Sequence, residues 1–156
     1  MRIRIIGVGT SFGDDAAGPR VVQHLASGRP LPRGVEAVLC GRPLDLVELL
    51  DGADGAVLVD ATSSGRAPGT VHEPATDDLC EARPVSSHGL GVREALAMAE
   101  ALGRAPQRIA IIGIEAASTT GEELSRPVHA ALAEAATRAR QRCAEWLAGG
   151  EASHRA

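Results

Sequence analysis

The sequence predicts a three-layer α/β/α sandwich in which a mostly parallel, roughly five-stranded twisted sheet lies between two layers of helix. Three observations predict it. Apolar, β-branched runs of strand length alternate along the chain with segments whose apolar residues recur at helical spacing, the order that a parallel sheet with crossover helices requires. The run at 55 to 60 (GAVLVD) is apolar almost without interruption, as in a strand covered on both faces. The length of 156 residues, 44% of them hydrophobic, suits one core and leaves no room for a second domain. The expected organisation is a single domain over 1–149 and a disordered tail over 150–156.

Residues 2 to 8 (RIRIIGV) read as a buried strand that feeds a Gly-rich turn. From Asp14 onward Ala17, Val21, Val22 and Leu25 recur at helical spacing until Gly28 and Pro30. The segment 35 to 40 (VEAVLC) reads as the second strand, and 43 to 50 (PLDLVELL) as a short helix opened by proline. The third strand covers 55 to 60 and ends on Asp60. A Ser-Gly-Arg-Ala-Pro-Gly turn leads to a short edge strand within 69 to 74, closed by Pro74. Residues 75 to 89 show no periodicity and read as a loop of functional length. Then follow a helix over 90–103, a strand over 108–114 (RIAIIGI) and a long amphipathic helix over 125–149 with Pro127 in its first turn.

Composition narrows the chemistry. All 16 basic residues are arginine, so mechanisms that need an amine, such as a Schiff base or a phosphate-loop lysine, are excluded. A net charge of −4 with scattered arginines provides no footprint for nucleic acid. Cys40, Cys80 and Cys143 are widely spaced, which suits reduced thiols in a cytoplasm better than a disulfide framework or thiolate zinc site. No apolar stretch is long enough to span a membrane, so a cytoplasmic protein with a protein or small-molecule partner is expected. The only large aromatics are Phe12 and Trp146, so the core must be aliphatic.

In an open parallel sheet, ligands bind beyond the carboxyl ends of the strands. Asp15 follows the first strand, Asp60 ends the third, and His88 precedes the third helix. Singly, each has an ordinary explanation: Asp14 and Asp15 as acids at the positive end of a helix, Asp60 as a turn residue, His88 as a loop histidine. Jointly, two carboxylates brought together repel unless a cation or proton lies between them, and an imidazole completes a set suited to a borderline divalent ion. Three protein ligands leave a coordination position open for water or substrate. Glu115 and His72 are candidate helpers that read more readily as solvated surface residues.

At these residues the chain resembles the hydrogenase maturation proteases. GVGTSFGDDAAG (7 to 18) is similar to their Gly-rich acidic opening, VLVDAT (57 to 62) to their second acidic strand end, and SSHGLGV (86 to 92) to their histidine segment. GIEAAS (113 to 118) with GEELS (121 to 125) resembles their last strand and final helix entry. The resemblance implies an α/β endopeptidase that removes a C-terminal extension from a nickel-iron hydrogenase large-subunit precursor after nickel insertion; a monomer that meets the precursor transiently is the expected state. Asp15, Asp60 and His88 match the family's metal-binding positions; the ion is the nickel already held by the substrate, and zinc or cadmium could occupy the same site. Three positions and one segment depart from the family pattern. Thr10 stands where asparagine is usual, Ala16 where glycine is, and Ala116 where proline is. Cys40-Gly41-Arg42-Pro43 replaces an acidic Gly-Gly-Thr segment, so Gly41 and Arg42 are the expected substrate contacts that set the target.

Three rival readings compete. Gly9-Thr10-Ser11-Phe12-Gly13 fits the nucleophile elbow of a serine hydrolase, with Ser11, Asp60 and His88 in the order of a triad, although only one strand precedes Ser11. Gly7, Gly9 and Gly13 approximate a dinucleotide fingerprint, but Asp14 and Asp15 put negative charge where pyrophosphate would bind. The third is a non-enzymatic nickel-sensing or docking protein that keeps the same trio.

Overall fold

The computed structural model describes residues 1–76, 91–117 and 121–153. Five strands, β1 (Ile3–Val8), β2 (Val35–Cys40), β3 (Gly55–Thr62), β4 (Val71–His72) and β5 (Arg108–Glu115), form one sheet in the order β2-β1-β3-β5-β4. All neighbours run parallel except β4, a two-residue edge strand antiparallel to β5. Helices α1 (Ala17–Ser27) and α4 (Arg126–Ser153) cover one face, and α2 (Leu46–Leu50) and α3 (Val92–Ala101) the other. The three-layer expectation therefore holds.

Each face owes its core to the two-residue period of the strands. Ile3, Ile5, Val57, Val59, Ile112 and Ile114 meet α1 and α4, while Ile6, Val8, Ala56, Leu58 and Ile111 meet α2 and α3. The cores are aliphatic, as composition required: Phe12 is 64% exposed, and Trp146 lies against Gly55 at the margin.

Several boundaries differ by a few residues from the sequence reading, and three of them have a visible cause or consequence. β3 runs two residues beyond Asp60, because β5 continues beside it and offers ladder partners to Asp60, Ala61 and Thr62. A strand persists while it has a partner, and the polar side chain of Asp60 misled the reading. One turn of 3-10 helix, Gly13–Ala16, precedes α1. α4 runs through Gly149 and Gly150 to Ser153, so the expected tail from 150 is helical over its first residues. Glycine lowers helix stability by only about 1 kcal/mol, and Gly150 packs beside Met1. The remainder of that tail, 154–156, lies outside the described residues.

The helix nearest the carboxyl edge sits unusually close to the sheet. A Cβ on Gly18 would lie 2.4 Å from the carbonyl oxygens of both Val8 and Val59, and one on Gly7 would lie 2.4 Å from Gly18 O. Backbone cannot yield as a flexible side chain can. Gly18→Ala is expected to lower stability by about 1–3 kcal/mol or more, read as a drop in urea midpoint. Gly41→Ala, whose Cβ would meet nothing within 4 Å, is the control expected to stay within about 0.5 kcal/mol.

Candidate active site

The topology creates one crevice. β1 connects through α1 to β2 on one side, whereas β3 leads on to β4 and β5 on the other, so the order reverses between β1 and β3. The carboxyl ends of those two strands border the place where open α/β sheets bind ligands. The β1–β3 ladder ends at Gly7 and Val59, while β3 and β5 stay paired to Thr62 and Glu115. Asp60 is thus the first residue of β3 with β5 on one flank and the end of β1 on the other. It shares a face with Ala56 and Leu58, towards α2 and α3, and is only 5% exposed.

Asp15 reaches the same edge from the turn after β1. Gly9 has a φ of 142°, a conformation that L side chains rarely adopt, and its backbone lies against Asp15 O. The folded-back turn lets the Thr10 amide and hydroxyl both donate to Asp15 Oδ2, at 2.9 and 2.8 Å. Asp15 is half-buried, and its 3-10 turn packs on β3. Its neighbour Asp14 does something else: it is 1% exposed and accepts hydrogen bonds from the Ala117 amide (2.8 Å), the Ser125 amide (2.7 Å) and the Ser125 hydroxyl (2.9 Å). Asp14 therefore ties this turn to the β5–α4 connection, a role that adjacent acids in a sequence do not disclose.

The third predicted ligand, His88, falls within 77–90, outside the described residues, as does Cys80. Among the described residues no three His, Cys, Asp or Glu side chains converge as a metal site. Gly41 and Arg42 lie exposed after β2, and the Arg42 guanidinium is held on both carboxylate oxygens of Asp45, at 3.0 and 2.9 Å. Cys40 is buried, and burial, followed by the negative charge of Asp45, raises its thiol pKa to about 11. It is an inert neighbour of the site.

A second polar group stands beside Asp60 on the same face. Glu115 is 2% exposed and accepts from the Thr62 hydroxyl (2.9 Å), the Ser64 hydroxyl (2.8 Å) and the amides of Ser64 (2.6 Å) and Gly65 (3.0 Å). His72 Nε2 lies 2.8 Å from Thr62 Oγ1. The expectation that Glu115 and His72 are solvated surface residues is thus corrected. The period-two pattern of both strands was too short at these ends to reveal that β4 folds His72 onto β5.

Comparison with known proteins places this geometry. Residues 19–142 match the HycI family, hydrogenase maturation protease. The chain belongs to the hydrogenase maturation protease family. HupD, a hydrogenase expression/formation protein of Bradyrhizobium diazoefficiens, is 30% identical over 152 residues, covering 93% of this chain and 79% of that protein. HupD of Rhodobacter capsulatus is 29% identical, and the chain spans 57% of its length. Among solved structures, the hydrogenase maturating endopeptidase HybD from E. coli superposes with a TM-score of 0.81 at 26% identity, covering 93% of both chains. The [NiFe] hydrogenase maturation protease HybD from Thermococcus kodakarensis gives 0.69 at 28% identity over 90% of this chain and 98% of that one.

Within this family frame the rivals weaken. Ser11 lies on the exposed turn after β1, the one strand that precedes it, and His88, the base of the serine-hydrolase reading, lies outside the described residues. The turn where pyrophosphate would sit is occupied by Asp14 and Asp15, and Arg42 is engaged by Asp45. Thr10, a departure from the family pattern, supplies both donors that orient Asp15.

The buried pair Glu115 and His72 gives a pH signature. Burial opposes the charge on Glu115, but the hydrogen bonds from Ser64, Thr62 and Gly65 outweigh it and hold its pKa below the usual carboxylate value. Burial first, then the positive charge of Arg66, holds His72 below the usual imidazole value, against the pull of Glu115. Folded Glu115 binds its proton less readily than the unfolded residue, so its stabilisation is present above the ordinary carboxylate range and is lost as pH falls through it. Folded His72 also resists protonation, so its share is present above about pH 6.5 and lost below. Melting temperature should fall in two stages on acidification: His72→Gln flattens the stage below about pH 6.5 and Glu115→Gln the stage near and below about pH 4.

Proposed function

We propose that this chain is an endopeptidase that removes the C-terminal extension of a nickel-iron hydrogenase large-subunit precursor after nickel has been inserted. The observation that carries the reading is the placement of Asp15 and Asp60 at the one switch point of a fold shared along 93% of its length with a hydrogenase maturating endopeptidase.

On this reading Asp15, Asp60 and His88 take hold of the nickel that the substrate carries. The donor chemistry fits: the Asp15 carboxylate accepts two hydrogen bonds from Thr10, the Asp60 carboxylate is nearly buried at the neighbouring strand end, and two carboxylates drawn onto one ion have their mutual repulsion offset by its charge. When bound, the ion supplies Lewis-acid polarisation of the scissile carbonyl or of a water. The protein's own part is to orient the two carboxylates, keep competing solvent from Asp60, and admit the precursor over the exposed turn that carries Ser11 and Phe12. Zinc or cadmium would be held by the same trio. Gly41 and Arg42, on the exposed connection after β2, are proposed to contact the precursor and set which large subunit is accepted. Among the described residues no helix is long and apolar enough to cross a membrane. A cytoplasmic monomer that meets its precursor transiently is the proposed state.

The deciding experiment mixes the purified protein with large-subunit precursors, with and without nickel, and follows the loss of the C-terminal extension by mass. Cleavage is expected only with nickel loaded. Asp15→Asn, Asp60→Asn and His88→Ala should each slow it at least ~100-fold, as loss of several kcal/mol of transition-state stabilisation requires, with the fold retained by circular dichroism. Normal processing by any two of these variants would sink the assignment.

A further inference from the structure

The buried group next to Asp60 has an internal logic that fixes where its protons are. Thr62 Oγ1 carries one proton and lies between Glu115 Oε2 at 2.9 Å and His72 Nε2 at 2.8 Å. Glu115 takes four donors and is held ionised, so it can only accept; the Thr62 proton therefore points to Glu115. What remains on the hydroxyl is a lone pair, which Nε2 must meet with an N–H. A neutral imidazole has one N–H, so Nδ1 bears the lone pair, and that atom is buried without a hydrogen-bond partner.

The position of the group is as informative as its protonation. Asp60 pairs with Gly113 on β5, and Gly113 pairs in turn with His72 on β4, which puts the three in one row across the sheet. A Cβ on Gly113 would lie 2.8 Å from both His72 Nε2 and Thr62 Cγ2, so the imidazole lies across the space that the glycine leaves and joins β4 to β3. Among the described residues the β1–β3 ladder ends at Val59 while the β3–β5 ladder continues to Thr62, and Asp60 is the first residue of that continuation. The Ser64 and Gly65 amides on Glu115 then close the exit from β3. An apolar side chain at 72 would fill the same space without the cost of a buried, unmet ring nitrogen.

We propose that Glu115, Thr62 and His72 form a positioning relay that holds the end of β3, and with it the Asp60 carboxylate, for the reaction proposed above, with His72 fixed as the Nε2–H tautomer. The proposal rests on that functional reading only for its last step. Its test compares Thr62→Val, which removes both hydrogen bonds at nearly constant volume, with Thr62→Ser, which keeps them. Nitrogen-15 spectra of the histidine rings should show the Nε2–H tautomer of His72 in the wild type and in Thr62→Ser, and a mixture in Thr62→Val. Calorimetric titration with zinc alone should weaken ~10–100-fold in Thr62→Val and return in Thr62→Ser, the range found when a group supporting a metal ligand is removed. Cleavage of nickel-loaded precursor should lose kcat by a similar factor with KM unchanged. His72→Phe, which keeps a ring over Gly113 but no N–H, should repeat the losses should Thr62→Val not fold. An Nδ1–H tautomer in the wild type, or a folded Thr62→Val that binds zinc and cleaves as the wild type does, would overturn the relay. If the wild type cleaves no precursor, the functional reading fails while the spectra and the zinc titration still decide the relay.

Discussion

The geometry of the crevice rests on how closely α1 lies against the sheet. With no Cβ on Gly7 or Gly18, helix backbone meets the strand carbonyls of Val8 and Val59 directly, and the 3-10 turn that precedes the helix is pressed onto the end of β3. Asp15 belongs to that turn and Asp60 to that strand end. A helix held off by ordinary side chains would carry Asp15 outward, and the two carboxylates would no longer border one crevice. The separation of helix from sheet is therefore a functional dimension, set by two glycines distant from each other in the chain.

Four acids stand at the carboxyl edge, and the surroundings of each decide what it does. Asp14 and Glu115 are almost wholly buried, and their oxygens are taken by amides and hydroxyls that fasten one connection to another. Such fully bonded carboxylates act as structural clamps, because the donors replace the water that burial removes. Asp15 differs by being half-buried and by accepting two hydrogen bonds from Thr10 on a single oxygen. Asp60 differs by lying where the ladder to β1 has just ended. Position relative to strand ends, more than residue type, separates the two clamps from the two acids proposed as ligands.

Much of this was legible in the sequence. The apolar runs at 2–8, 35–40, 55–60 and 108–114 and the stripes of α1, α3 and α4 gave the layers, because every one of these elements buries a face whose period is visible locally. Asp15 and Asp60 were legible because strand ends in a parallel sheet are predictable from those same runs. Less was visible where the structure depends on partners distant in sequence. The continuation of β3 to Thr62 depends on β5, the helix through Gly149 and Gly150 on packing against the amino terminus, and the burial of His72 on a two-residue strand. Asp14 looked like a helix-end acid until Ala117 and Ser125 were seen to close on it from the far side of the chain. His88 remains a sequence expectation, since it lies outside the described residues.

A metal that travels with the substrate changes what the protein must provide. In a site with a resident ion, the ion itself orders its ligands and offsets the repulsion between carboxylates, so folding and metal binding are coupled. If the nickel arrives with the precursor, as proposed, the ligands must already be aimed before any cation is present, and hydrogen bonds have to do the aiming. Thr10 does this for Asp15 with two donors from one residue, and the ladder to Gly113 together with the Glu115 group does it from the other side of the crevice for the strand that bears Asp60. The donors that Thr10 supplies are local and neutral, so they aim the Asp15 carboxylate without themselves cancelling its charge.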